Sequence, residues 1–338
     1  MATAYPTIPA LYTGRSIAPR NVFKSGTPTY FPSLAQIDGT ASRDPGNDTV
    51  SILRAGLVLG KITSGGNYAP SIIGLSGEAL DSTETVLDIP AAVSTELARR
   101  VGATGTFKLI GPPTAAGTVR TMTATYSALG ATTVTITALG VNEVQTLTFG
   151  AAATGGTLRL RVPLANGTMV TTDAITWNAT DATYLASINT ALDAATGVAG
   201  GIVATGAAPD TALTFTFSGT GYTALPQPTE MISVVTFPTS TTSATVVRTT
   251  TGVDGRFVTS SIIAPTDGSE TPLQVLSQQY GVDVLDINGS ALNQSLQLLR
   301  TADINVDQIV NYPSDASLKT WLKTALKASS GFTFSDDR

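Results

Sequence analysis

Three short constellations in this sequence contain residue types that chemistry requires. Gly56-Leu-Val-Leu-Gly60-Lys61-Ile62-Thr63 has the glycines, lysine and hydroxyl of a phosphate-binding loop. Such a loop needs the spacing G-x-x-x-x-G-K-[ST], so that backbone amides, ammonium and hydroxyl reach phosphate and Mg²⁺ together. Here the glycines are one residue too close and Thr63 falls one place late, so the stretch reads as a strand with turn glycines. Asp286-Ile-Asn288-Gly289 has the side chains of a calcium loop. With Gly289 in the glycine position, Val284 and Ser295 stand where carboxylates must supply oxygen, and an Asn-Gly turn is the expectation instead. A serine nucleophile without histidine could use lysine as its base, but no lysine has a serine three residues before it. The carboxylates show no spacing that pairs them for acid–base work.

Composition narrows the field further. The chain has 338 residues, with neither Cys nor His. That excludes disulfide scaffolds, zinc fingers, thiol nucleophiles, Ser-His-Asp triads and histidine switches. The expectation is no catalytic residue, no cofactor, no metal and no enzymatic activity. Charged residues are 13%, about half the ordinary ~25%. A net charge of −5 argues against a basic nucleic-acid surface. No apolar run approaches the ~18 residues of a membrane span. The first residues, MATAYPTIPALYTGR, lack the basic and apolar regions of a signal peptide. Glycosylation sequons at Asn47, Asn166, Asn178, Asn288 and Asn293 follow from the abundance of Thr and Ser.

Residues 1–50 read as an extended arm with sparse regular structure, because Pro6, Pro9, Pro19, Pro28, Pro32 and Pro45 punctuate it. Tyr5, Tyr12, Phe23, Tyr30 and Phe31 are spaced along it. Disordered segments are poor in aromatics, so the arm is expected to order against a partner. Two apolar runs around Ser64-Gly65-Gly66-Asn67 predict a hairpin, and residues 91–101 a short helix after Pro90. Residues 105–250 carry few charges and alternate with period two over 118–126, 132–139, 143–149, 157–162 and 212–217, which predicts half-buried antiparallel strands. One helix interrupts them over 178–197, with Tyr184, Leu185, Ile188 and Leu192 on one face and Gly197 at its end. Residues 272–286 and 294–310 read as further strands. A last helix begins with Ser314 as cap and places Leu318, Leu322 and Leu326 in one row beside Lys319, Lys323 and Lys327. The lysine row reads as a solvated face.

Particular residues resemble known sequences. Arg54-Ala-Gly56-Leu-Val-Leu-Gly60-Lys61-Ile-Thr63-Ser-Gly-Gly-Asn-Tyr68-Ala-Pro70 resembles the "AGTVLGK-T--GKY-P" hairpin of the lambda-type head decoration proteins of tailed phages. Phe23-Lys-Ser-Gly-Thr-Pro28 resembles that family's arm. Pro272–Ser277, Leu298–Val310 and Ser314–Leu326 are similar, in the same order, to its closing strands and terminal helix. The middle region resembles a different unit. Asn142–Thr148, Gly155–Leu158, Ala174–Thr180 and Ala212–Gly219 are similar to a repeat module, "NEVQTLTF…GGTF-L…AIAYNAT…VTFTG", of phage virion proteins and some bacterial surface proteins.

The resemblance implies a mainly β fold with some α. A small β-barrel (β-tulip) decoration domain would be built discontinuously from 51–104 and 251–338 behind the arm of 1–50. An α+β module would be inserted at 105–250, leaving from an exposed loop. It also implies a non-catalytic cementing protein: a homotrimer bound to the major capsid protein on the outer surface of the virion, made in the host cytoplasm, with no nucleic acid and no membrane. Its contact residues would be Tyr5, Pro6, Ile8, Pro9, Tyr12, Phe23, Tyr30 and Phe31. Binding the assembled lattice and not free subunits stabilises the shell by linkage. The alternative is a tail-fibre or adhesin component that presents loops such as 219–227 to host carbohydrate. A single module, where fibres carry arrays, argues against it. A glycan hydrolase would need two carboxylates converging in a cleft.

Overall fold

The structure, a computed structural model, describes residues 20–115, 117–226, 230–286 and 288–337. The chain is mainly β, 38% strand and 14% helix. In order the elements are β1 (Phe23–Ile37), β2 (Ile52–Leu53), β3 (Val58–Lys61), β4 (Tyr68–Pro70), β5 (Gly74–Leu75), β6 (Val86–Asp88), α1 (Ala91–Arg100), β7 (Gly105–Gly111), β8 (Arg120–Leu129) and β9 (Thr133–Ile136). There follow β10 (Val144–Phe149), β11 (Thr157–Pro163), β12 (Met169–Thr171), β13 (Ile175–Thr176), α2 (Asp181–Thr196), β14 (Ile202–Thr205), β15 (Ala212–Phe217), β16 (Ser233–Thr236) and β17 (Ala244–Thr250). The chain then runs through β18 (Ile262–Ala264), β19 (Gln274–Val275), β20 (Val282–Asp283), β21 (Gln294–Ile304), α3 (Ala316–Ser329) and β22 (Gly331–Phe334).

These form two compact units. The first takes the described residues up to Leu80, then Thr85–Thr137, then Phe257 onward. One of its sheets runs β19-β3-β4-β1-β21-β22 and another β5-β18-β7-β8-β9-β6, while β2 pairs with β20. The predicted hairpin is β3 with β4, Leu59 facing Pro70 and Lys61 facing Tyr68. Its turn uses Gly65 and Gly66 at φ +86° and +75°, a region L side chains enter only at a cost. The main core gathers Val58, Ile110, Ile262, Leu299, Ile304 and Phe334 with the Leu318, Leu322 and Leu326 row of α3. A second cluster joins Ile37, Leu53, Leu57, Leu59, Leu276 and Leu296.

The first unit departs from expectation in four places. Residues 23–37, read as part of a sparse arm, are a fifteen-residue strand. The prolines did not prevent pairing, because the strand bulges around them. Pairing with β21 skips between Ser25 and Thr29 and again between Tyr30 and Leu34, the intervals that hold Pro28 and Pro32. Residues 105–137, grouped by low charge with the insert, supply β7, β8 and β9 to the first unit's sheet. Alternating Thr and apolar residues suit a half-buried sheet in either unit, so composition could not assign them. The cap of α3 is Asp315, whose carboxylate accepts from the Leu318 N–H at 3.0 Å, and not Ser314. Within 272–286, β19 and β20 are two residues each, shorter than a strand reading of that segment.

The second unit comprises Asp81–Glu84 and Ala138–Arg256. One sheet runs β14-β15-β10-β17; β11 pairs with β12, β13 and β16. Helix α2 buries Tyr184, Ile188 and Leu192 against Leu147, Leu158, Leu160 and Phe215. It starts three residues later than expected, because Asn178 spends its side chain on a turn, accepting from the Thr180 N–H. It ends at Gly197 with φ 70°. The two ends of its long segment meet each other and the short segment. Val141 pairs with Val253, and the Gly140 N–H bonds the Ser82 carbonyl at 3.1 Å.

Candidate functional site

The longest surface feature of the first unit is the ribbon of β1 and β21. Over Phe23–Gln36, β21 is the only strand paired with β1 among the described residues; β4 meets it at Ile37 alone. Polar contacts pin the ribbon. The Ser25 hydroxyl donates to Asp303, and the Thr333 hydroxyl reaches the other oxygen of that carboxylate at 3.1 Å. One buried acid therefore ties β1, β21 and β22 together. Thr29 and Thr301 hydroxyls meet at 2.5 Å across the ladder.

The sequence-predicted contact residues divide on this ribbon. Tyr5, Pro6, Ile8, Pro9 and Tyr12 lie outside the described residues. Phe23 packs against the main core and so anchors the strand. Phe31 is half-buried, while Tyr30 is 38% exposed. Leu34, 66% exposed on the same strand, was not among the predicted residues. Sequence reading weighed the aromatics of the arm with Pro6, Ile8 and Pro9; it passed over an aliphatic two places beyond Pro32, which pairs with Gln297 where the regular register resumes and stands on the exposed side of the strand.

The other sequence constellations resolve into structure. Gly60 lies where a Cβ would stand 1.9 Å from the Ser269 carbonyl oxygen, so glycine is needed for a close backbone approach and not for phosphate. Asp286 accepts from the Asn288 and Ser290 N–H groups at 2.9 and 2.8 Å, and Gly289 has φ +79°. That is an Asx-type turn whose acid is already used. Among the described residues no three Asp or Glu side chains gather as a metal site. No helix among them is long and apolar enough to cross a membrane.

Buried charges are paired within each unit. In the first, Arg54 grips Asp44 through two nitrogens at 2.6 and 2.8 Å. Arg100 donates to the Pro70 carbonyl, Asp267 and Ser269. Burial opposes ionisation of Asp267, but Arg100 and the Ser269 hydroxyl and N–H outweigh it and hold the carboxyl below its usual range. In the second, Glu143 is fully buried, accepting from Arg248 at 2.9 Å and from Gln145 at 2.6 Å. Gln145 in turn accepts from the Ile232 N–H. These groups lock loops to sheets. The lysine row of α3 is also engaged. Lys319 lies over the Tyr312 ring, Lys323 pairs with Asp336 at 3.2 Å, and Lys327 lies over Phe334. Its cations serve to hold the C-terminal segment on the helix.

Comparison of the chain with family models, with curated proteins and with solved structures finds no match.

Proposed function

We propose that this chain is a head decoration protein of a tailed phage, which binds the outer surface of the major capsid lattice and cements it without catalysis. One observation supports the reading above others. The segments that resemble the family's arm, hairpin and closing strands are far apart in sequence, yet they fall in one sheet: β1, β3, β4, β19 and β21. Helix α3, which resembles the terminal helix, packs its leucine row into the core beside that sheet. A discontinuous β-tulip domain, interrupted by a module whose long segment has adjacent ends, accounts for this arrangement. In this reading the protein acts as a homotrimer, and the β1–β21 ribbon meets the shell.

The mechanism follows from linkage. A protein that binds the assembled lattice and not free subunits lowers the free energy of the shell by its own binding free energy at each site. Tyr30 and Leu34 supply apolar area for that contact, and the ribbon is already ordered before docking, which lowers the entropy cost. The test is co-sedimentation with emptied, expanded heads of the parent phage. The wild-type chain is expected to saturate the lattice at a copy number near that of the capsid protein. Tyr30→Ser with Leu34→Ser should weaken binding about tenfold or more, with an unchanged melting temperature because both side chains are exposed. A few copies per head would transfer the protein to the tail. Undiminished binding by the double variant would remove the ribbon from the contact.

A further inference from the structure

Helix α3 has three faces, and two of them have work within the first unit. Leu318, Leu322 and Leu326 fill the core, and the lysines hold Tyr312, Asp336 and Phe334. The third face carries Ser317, Thr320, Trp321 and Thr324. It looks across an open cleft of about 590 Å³ to residues 117–119 on the approach to β8. That volume is in the range of small-molecule sites.

The lining is chemically specific. Trp321 rests one side on the core and is half-buried. Its indole N–H and the hydroxyls of Thr118, Ser317 and Thr324 have no partner among the described residues, whereas Thr320 bonds back to the Ala316 carbonyl. Among the described residues that line it, none is charged. The cations next in sequence to lining residues are engaged elsewhere: Lys319 lies over the Tyr312 ring, Lys323 pairs with Asp336, and Arg120 holds its guanidinium over the Phe257 ring at 5.1 Å. A carboxylate or phosphate would lose hydration here and find no counter-charge. A wholly apolar ligand would cover hydroxyls and an indole N–H without pairing them. The chemistry that fits both the ring and the hydroxyls is a neutral molecule with an apolar C–H face and hydroxyl edges.

We propose that this cleft binds a neutral saccharide, with one hexose ring stacked on Trp321 and its hydroxyls bonded to Thr118, Ser317 and Thr324. The site lies wholly in the first unit, and it stands or falls independently of capsid binding.

The experiment uses the full chain carrying Trp177→Phe, so that Trp321 is the sole indole. The replacement loses no hydrogen bond, because the Trp177 indole N–H is buried without a partner. Cellohexaose, maltohexaose and mannohexaose are titrated against its fluorescence and, in the wild-type chain, by calorimetry. At least one is expected to give a saturable change with a dissociation constant on the order of 1 mM. Trp321→Ala should lose about tenfold or more of that affinity. Thr324→Arg, a change on the helix surface that fills the cleft, should do the same with the melting temperature retained. The proposal is overturned if none of the three sugars saturates, or if Thr324→Arg binds as the wild type does. It is also overturned if sedimentation shows self-association that Thr324→Arg abolishes, which would assign the cleft to a second copy.

Discussion

Two buried tyrosines in the second unit show how the same residue type can stabilise or cost. Tyr222 is fully buried, and its hydroxyl donates to the Pro163 carbonyl at 2.9 Å. Tyr184 is equally buried, but its hydroxyl has no partner, and burial with Asp210 nearby pushes its pKa up to about 12. Tyr222→Phe should therefore destabilise by about 1–3 kcal/mol, since it strands a buried carbonyl. Tyr184→Phe should be neutral or stabilising by about 1 kcal/mol, because it removes an unpaired polar atom. Urea denaturation of both variants checks this; a loss of similar size in each would refute the assigned partners. Asp267 makes the pH prediction. Its carboxyl is held below the ordinary 3.8, so its contribution is fully present above that value and is lost as pH falls through the lower folded-state value. Thermal melts of the wild type should decline more steeply below pH 3.8 than those of Asp267→Asn. Parallel curves would show that the Arg100 contact does not act through charge.

At the scale of elements, glycine positions separate backbone conformation from crowding. Gly197 closes α2 at φ +70°, and a Cβ there would have nothing within 4 Å, so Gly197→Ala carries only the left-handed penalty of about 1 kcal/mol. Gly56 has φ +93°, and a Cβ there would lie 1.8 Å from the Gln308 carbonyl oxygen. Gly56→Ala must displace backbone and should cost several times more by the same denaturation measurement; equal costs would mean that the 56 and 308 segments separate readily. The hairpin, the strand at 212–217, and the Tyr184–Ile188–Leu192 and Leu318–Leu322–Leu326 rows were legible in sequence. Each is specified by a local period or turn residue. Strand β1 was not legible. Proline rules count lost donors along the strand, whereas its order comes from β21, far away in the chain, and from bulges that absorb Pro28 and Pro32.

For the whole molecule, the division into two units carries a direct test. Two hydrophobic clusters of the first unit contain, among the described residues, none between 138 and 256, and the buried residues of the large cluster of the second lie between 147 and 232. Val141 and Val253 pair, so the ends of the inserted segment are adjacent. Replacing residues 142–252 by a short Gly-Ser linker should leave the first unit folded, with a sharp thermal transition and dispersed amide signals in NMR spectra. A molten product would show that the two cores depend on each other. Legible from the residues alone were the mainly β class, the lack of thiol and imidazole side chains, and the helices whose apolar rows repeat every turn. These depend on composition and near-neighbour spacing. Only the tertiary structure decided that residues 105–137 belong with the first unit, that Leu34 is displayed while Phe23 is an anchor, that the lysines of α3 are engaged, and that Trp321 borders an uncharged cleft. Those facts depend on partners brought together by long-range pairing, and no local period encodes which distant strand a segment will meet.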